Sequence, residues 1–146
     1  MTFKEAVASC NGINEACERG LRALGKYSCK VSAQDTSQIN GSVDLDKAMK
    51  SKYPSANRWD YIVGYNNTAY FVEVHPAFTK DIEVIEEKLR WLKNELSDDL
   101  KPLDEIKARK PYYWIYTNGV HLLKQSPQYK AMVSRGLAPV KELHLE

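Results

Sequence analysis

The stretch of sequence that decides the fold is residues 58–77, RWDYIVGYNNTAYFVEVHPA. Two runs rich in β-branched and aromatic residues, Trp59–Tyr65 and Thr68–His75, flank the pair Asn66-Asn67. Asparagine tolerates positive φ, so a two-residue turn at this pair predicts a β-hairpin. Pro76 is expected to end the second strand, because proline cannot continue a central hydrogen-bonded ladder.

The turn determines which residues of the two strands face each other. Counting outward from it places Asp60 opposite Glu73 and Arg58 opposite His75. Side chains alternate between the faces of a strand, so these four residues share one face, and the apolar pair next to them marks that face as buried. Two carboxylates, an imidazole and a guanidinium are therefore expected to cluster at its open end.

Asp60 opposite Glu73 is an unfavourable pair unless a cation lies between them, because like charges directly opposed in a sheet destabilise it. Mg²⁺ takes oxygen ligands, commonly one or two carboxylates together with phosphates. The pair therefore predicts a site for Mg²⁺ or Mn²⁺ held by Asp60 and Glu73. Two alternatives stay open. Arg58 and His75 could simply neutralise the acids in a surface salt-bridge cluster, or a one-residue slip of the turn could separate the acids onto opposite faces.

The rest of the chain predicts helices and strands in alternation. In chain order the elements are a helical turn or two over 3–10, a helix over 13–24 ending at Gly25, a strand over 27–32, a loop over 34–43, a short helix from Ser42 to Pro54, the hairpin, an amphipathic helix over 81–97, a strand from Pro111 closed by Asn118-Gly119, a short helix over 128–135 and an edge strand over 139–145. This order predicts one α/β domain over residues 1–146, with a mixed central β-sheet flanked by helices.

At the acid pair the sequence resembles the PD-(D/E)xK, or restriction-endonuclease-like, nuclease superfamily. Trp59-Asp60 matches the first motif of that family, and Glu73-Val74-His75 matches its E-x-K motif with histidine in place of lysine. The helix over 81–97 and the strand Tyr112–Thr117 follow in the family's order. The resemblance implies a restriction-endonuclease-like core, α-β-β-β-α-β, plus a C-terminal helix and an edge strand.

This resemblance implies a divalent-metal-dependent nuclease that hydrolyses phosphodiester bonds in DNA or RNA, with DNA favoured as the partner. By the same resemblance, Asp60 and Glu73 would hold Mg²⁺ or Mn²⁺, and the Val74 carbonyl would be a further ligand. An acid on the first helix, here Glu15 or Glu18, often assists in such folds. A homodimer and a subunit of a larger complex are both compatible with this function.

The histidine at the lysine position leaves the catalytic charge open. Lysine supplies a fixed positive charge near the attacking water, whereas histidine is only partly charged near pH 7. His75 could act as general base or as a metal ligand, and Lys80 or Lys88 could reach in from the following helix, with Arg58 or Lys88 stabilising charge on the phosphate. The alternative is a catalytically inactive domain of this fold that acts as a nucleic-acid-binding or protein-interaction module.

The overall charge says little about a partner, since 21 basic and 19 acidic side chains leave a net charge of only +2. The C-terminal part is more basic: residues 106–146 carry seven basic side chains against two acidic ones. Lys107, Arg109 and Lys110, together with Arg58, are the predicted contacts to a phosphate backbone. A solvated basic surface without a partner is the alternative.

The sequence also excludes several classes of protein. No apolar run approaches the roughly 20 residues of a membrane span. The first residues lack the apolar stretch of a signal peptide, so we expect a cytoplasmic protein without a membrane partner. Three cysteines without a C-x-x-C pair predict reduced thiols. Phosphate-binding glycine loops, G-x-S-x-G and H-E-x-x-H are absent, which disfavours P-loop, serine hydrolase and zinc protease chemistry.

Overall fold

A computed structural model describes residues 1–146 as a mixed α/β fold. The strands are β1 (Val31–Ala33), β2 (Ile39–Asp44), β3 (Tyr61–Tyr65), β4 (Thr68–Phe78), β5 (Lys107–His121) and β6 (Leu143–Leu145). The main sheet has four strands in the order β2-β3-β4-β5. Neighbours among β2, β3 and β4 are antiparallel, and β5 runs parallel to β4. β1 and β6 form a separate parallel pair.

Five α-helices flank the sheet. They are α1 (Phe3–Ala8), α2 (Leu45–Met49), α3 (Ile82–Leu96), α4 (Lys101–Glu105) and α5 (Pro127–Ser134), with 3₁₀ segments at Arg22–Lys30, Thr36–Gln38 and Thr79–Asp81. The predicted helices at the start of the chain, after Ser42, over 81–97 and over 128–135 are confirmed as α1, α2, α3 and α5. The apolar stripe of α3 is buried as its spacing predicts.

The hairpin forms in the predicted register. Both turn asparagines adopt left-handed backbone angles, with φ of 50° and 57°, which fits a two-residue turn between twisted strands. The ladder pairs Ile62 with Phe71 and ends where Tyr61 pairs with Val72. Asp60 therefore lies one residue before the start of β3, at the open end of the hairpin.

Both faces of the main sheet are buried. The face that carries Ile62 and Phe71 packs against α1 and α3 in a core that includes Trp59 and Trp114. The opposite face packs against the 3₁₀ segment Arg22–Lys30 and the β1–β6 pair. The acid pair thus lies at the end of a layered core, where strands and helices hold the chain on both sides.

The helix predicted over 13–24 is wrong. Turns follow α1, and helical structure resumes only in the 3₁₀ segment that begins at Arg22. The backbone of Glu18 instead pairs with Ser42 in both directions, with N–H to O distances of 2.8 and 3.0 Å, and Gly20 adopts φ 51°. Pairing with the sheet replaces local helical hydrogen bonds, a case in which tertiary contacts override propensity. The strand predicted over 27–32 is reduced to β1.

The loop predicted over 34–43 is also wrong, because β2 occupies Ile39–Asp44. Its sequence, INGSVD, lacks an apolar alternation, yet it pairs with β3 along the sheet edge. A Cβ atom at Gly41 would lie 2.9 Å from the carbonyl oxygen of Glu18. Glycine is therefore required for the close approach of these two backbones.

Pro76 and Asn118-Gly119 do not end their strands. β4 continues through Pro76 to Phe78, because β3 no longer borders β4 beyond Val72 and the missing N–H of proline breaks no ladder there. Asn118 and Gly119, with φ of 57° and 88°, form a bulge between two registers of the β4–β5 ladder. The predicted edge strand over 139–145 forms in two parts: Val140 makes an isolated parallel bridge to Ile115 at the free edge of β5, and β6 pairs with β1.

All three cysteines are free thiols, as predicted. None of the helices combines the length and the apolar character needed to traverse a lipid bilayer.

Candidate active site

At the open end of the hairpin, each of the two acids accepts a hydrogen bond from the backbone of the opposite strand segment. The Asp60 backbone N–H donates to Glu73 Oε1 at 3.1 Å, and the Val74 N–H donates to Asp60 Oδ2 at 3.0 Å. Each carboxylate is thus fixed through one oxygen by a backbone N–H of the opposing strand. The second oxygen of each, Asp60 Oδ1 and Glu73 Oε2, remains for another partner.

That partner is Lys88 on α3. Its Nζ lies 2.6 Å from Glu73 Oε2 and 3.6 Å from Asp60 Oδ1. The Glu73 side chain is 0% exposed and the Lys88 side chain 16%, so the contact is largely removed from water. Of the two lysines left open by the sequence, the structure places Lys88 at the acid pair. Lys80 is exposed, and its Nζ lies 5.7 Å from the ring centroid of Phe78.

Burial and the positive charge of Lys88 shift the pKa values of the two carboxylates in opposite directions. Burial raises the pKa of Glu73 well above its ordinary value, the Asp60 charge raises it further, and Lys88 opposes both. Burial also raises the pKa of Asp60, against the effect of the Lys88 ammonium. Burial alone would lower the pKa of Lys88, but the two carboxylates outweigh it and raise that pKa. Lys88 is therefore the fixed positive charge of the site, and Glu73 takes up a proton more readily than an ordinary glutamate.

His75 lies on the same face as Glu73 and connects the acid pair to a further acid. Its Nε2 lies 3.2 Å from Asp81 Oδ1, and its Nδ1 lies 4.0 Å from Glu73 Oε2. Asp81 Oδ2 also accepts the backbone N–H of Phe78 at 3.0 Å, which fixes the aspartate. A neutral His75 that donates its Nε2–H to Asp81 keeps Nδ1 as a proton acceptor on the side of the acid pair. Sequence reasoning missed Asp81, although an acid at the start of a helix soon after the E-x-H motif was a usable signal.

The prediction that Arg58 clusters with His75 is wrong. The ladder ends at Tyr61, so the chain before it is free to turn away. The guanidinium of Arg58 points to α2, where Nε donates to the carboxylate of Asp46 at 3.0 Å and to its carbonyl oxygen at 3.1 Å. Arg58 therefore joins α2 to the start of β3. Sequence reasoning also missed Asp46, whose negative charge raises the pKa of both Asp60 and Lys88.

The remaining predicted residues lie elsewhere. Glu15 and Glu18 line a cleft together with Asp44 and Lys47, and neither Asp60 nor Glu73 lines that cleft. A third carboxylate near the pair comes from α2 instead.

The predicted phosphate contacts Lys107, Arg109 and Lys110 lie at the start of β5. Lys107 is in register with Ala69, whereas Trp114 is in register with Glu73. Four residues of β4 separate these positions, about 13 Å at roughly 3.3 Å per residue. The Lys107 Nζ is moreover 2.6 Å from Asp104 Oδ1. Lys107 is therefore at the far end of the sheet from the acid pair.

The structure contains no group of three or more histidine, cysteine, aspartate or glutamate side chains arranged to hold a metal ion. The donor set at the acid pair is two carboxylate oxygens directed at one cationic position. Scans of protein-family models, curated proteins and solved structures yielded no match to the chain.

Proposed function

We propose that this chain is a divalent-metal-dependent nuclease with a restriction-endonuclease-like fold, and that Asp60, Glu73, Lys88 and His75 form its active site. One observation carries the proposal: Asp60, Glu73 and Lys88 converge from β3, β4 and α3 with two carboxylate oxygens around one cation. A buried cluster of this kind is costly for stability and is often kept for chemistry.

The connectivity supports the same proposal. β2, β3 and β4 form an antiparallel meander, α3 follows, and β5 returns parallel to β4. This is the order that the motif resemblance implies after the first helix. Asp60 directly precedes the second strand of the meander and Glu73 lies within the third, which are the positions of the two motifs in that family.

The donor set fits Mg²⁺ or Mn²⁺. Such ions are commonly held by one or two carboxylates, with water and substrate phosphate completing the coordination, so three acidic ligands are not required. Asp60 and Glu73 would hold the ion, and the Val74 carbonyl is a further candidate because its N–H already faces Asp60. When bound, a divalent ion neutralises phosphate charge and lowers the pKa of a nearby water.

The residues of the chain then have distinct roles. Lys88 holds a permanent positive charge beside the phosphate, the role that the family assigns to the lysine of its second motif. His75 accepts a proton at Nδ1 from the attacking water, with Asp81 holding the ring through Nε2. The water oxygen forms the new bond to phosphorus, the bond to the leaving oxygen breaks, and the departing alkoxide takes a proton from solvent.

The test is cleavage of single- and double-stranded DNA and RNA in Mg²⁺ or Mn²⁺. We expect metal-dependent cutting that falls at least about a hundredfold in Asp60→Asn and in Glu73→Gln, because removal of a positioned charged group costs roughly that much. Asp98→Asn, on an exposed turn, is the control and should cut normally. Cutting that survives in both site variants, or needs no metal, would disprove the proposal.

A second candidate function follows from the same contact. Lys88 already neutralises the oxygens that a metal would use, so the cluster can exist without an ion. This favours, as the alternative, a catalytically inactive domain that binds nucleic acid or protein. Absence of cutting on every substrate, with no Mn²⁺ binding by the wild type, would select it.

A further inference from the structure

A groove on the other face of β4 lies directly behind the acid pair. We name it the basic groove and define it by Lys26, Tyr27, Lys30, Val74 and Asn118, which line it. The first three residues come from the 3₁₀ segment Arg22–Lys30, and Asn118 comes from the bulge in β5.

The basic groove has positive charge without a counterion. No acidic side chain lines it, and neither Lys26 nor Lys30 takes part in an ion pair. Lys26 is exposed, whereas Lys30 and Tyr27 are half-buried, and the Lys26 Nζ lies 5.2 Å from the ring centroid of Tyr27. Ammonium groups with an aromatic ring and an amide, and with no acidic side chain in the lining, suit an anion that also carries apolar surface.

The groove and the acid pair share one segment of chain. Side chains alternate along β4, so Glu73 and His75 lie on the α3 face, while Val74 faces the groove. The Val74 backbone N–H donates to Asp60 Oδ2 at 3.0 Å. Beyond Val72, β3 no longer borders this edge of β4. A nucleic-acid strand that crosses this edge of β4 would place one phosphate at the acid pair and the neighbouring phosphates at Lys26 and Lys30.

We propose that the basic groove binds the sugar-phosphate backbone of the nucleic-acid strand that is cut. The inference rests on the proposed function for the position of the scissile phosphate. It moves the phosphate contacts from Lys107, Arg109 and Lys110 to Lys26 and Lys30. Backbone contacts supply most of the affinity of such complexes and carry little sequence information, so the groove binds strands of any sequence.

The experiment measures binding of fluorescently labelled single- and double-stranded DNA by anisotropy, in EDTA so that no cutting occurs. The test variant is Lys26→Gln/Lys30→Gln, and the matched control is Lys107→Gln/Lys110→Gln, which removes the same charge from the far end of β5. We expect the test variant to weaken binding by about tenfold or more. The slope of log K against log salt should fall by about 1.4 on a single strand, since each lost contact contributes about 0.7. The control should change affinity by less than about twofold.

Equal weakening by both variants, or no binding by the wild type at low salt, would overturn the proposal. Binding of inorganic phosphate as tight as the binding of DNA at the same ionic strength would also overturn it, because the groove would then recognise the free ion and not the backbone. Cutting activity separates the two proposals. Tight binding that depends on Lys26 and Lys30 without any cutting removes the nuclease and keeps the groove. Cutting that is unaffected in Lys26→Gln/Lys30→Gln keeps the nuclease and removes the groove.

Discussion

Replacing Lys88 with methionine should destabilise the protein strongly, because it removes the cation that two carboxylates share. The Lys88 Nζ lies 2.6 Å from Glu73 Oε2, and the Glu73 side chain is 0% exposed. Removing one partner of a buried ion pair costs about 3–5 kcal/mol of unfolding free energy, since the other charge is left unpaired. The Lys88 and Asp60 side chains retain 16% and 20% exposure, so water screens part of the loss. We expect about 3 kcal/mol at neutral pH.

Urea unfolding followed by tryptophan fluorescence measures this loss. Lys93→Met is the control, because Lys93 is an exposed lysine on the same helix. Its Nζ lies 5.4 Å from the ring centroid of Tyr112, and an exposed contact of that kind is worth about 0.5–1 kcal/mol. A loss in Lys88→Met no larger than the loss in the control would refute the assignment of Lys88 as the cation of a buried cluster.

The same variant tests whether the carboxylates accept a metal ion. In Lys88→Met, Mn²⁺ at a hundred times its Kd should return about 2.7 kcal/mol of stability. Adding Asp60→Asn at the same Mn²⁺ concentration should reduce the return, because the variant removes one of the two carboxylate ligands. Stabilisation by Mn²⁺ that is undiminished in the double variant would show that the ion binds elsewhere.

Three further predictions concern the scaffold. Gly64→Ala should cost about 1–3 kcal/mol in urea unfolding, because its Cβ would lie 2.3 Å from the ring of Phe3; an unchanged midpoint would contradict this packing. Tyr53→Phe removes a 3.1 Å hydrogen bond to the buried carboxylate of Glu95 and should cost about 1–2 kcal/mol at neutral pH. Burial raises the pKa of Glu95, and the hydrogen bond from Tyr53 lowers it. The loss of stability in Tyr53→Phe therefore requires the ionised carboxylate and should shrink as the pH falls. A loss that is independent of pH would contradict this assignment. Cys10 is buried and its pKa is raised to about 11 by burial, so a thiol reagent should modify it only after unfolding. Cys29 is exposed and should react in the native protein.

The sequence predicted the acid pair because the rules that place it are local. Two asparagines determine the turn, the turn determines the register, and alternation then brings Asp60 to Glu73. The elements it missed depend on distant partners. β2 is a strand because it pairs with β3 along the sheet edge, although its own residues show no strand pattern. Glu18 leaves the helical path because Ser42 accepts and donates the hydrogen bonds that a helix would have provided.

The sequence does not distinguish Lys88 from Lys80, because the role of Lys88 depends on which face of α3 meets the sheet. In the structure Ile85 and Leu92 are buried, and Lys88 lies three residues after the first and four before the second. A helical residue at those spacings shares a face with both neighbours. The spacing of Lys88 from these two apolar residues was therefore a usable signal. Lys80 precedes α3 and has no such neighbours.

The positions of the lysine and the histidine suggest that charge can be exchanged between the helix and the strand. Position 75 lies on the same face as Glu73, with His75 Nδ1 4.0 Å from Glu73 Oε2. A lysine there would place an ammonium next to the carboxylate that Lys88 contacts now. We therefore expect His75→Lys/Lys88→Met to cut at least about tenfold faster than Lys88→Met. The reason is that electrostatic stabilisation depends on the position of the charge and not on the element that carries it.

Recovery should remain incomplete, since the variant lacks the imidazole to which we assign acceptance of the proton from water. His75→Gln/Lys88→Met is the control for the loss of the histidine without a gain of charge, and it should cut no faster than Lys88→Met. A charge-exchanged variant that is folded and binds Mn²⁺ but cuts no faster than this control would show that the helix position of Lys88 is essential. The lysine would then act through its contact with both carboxylates and not as a charge beside the phosphate.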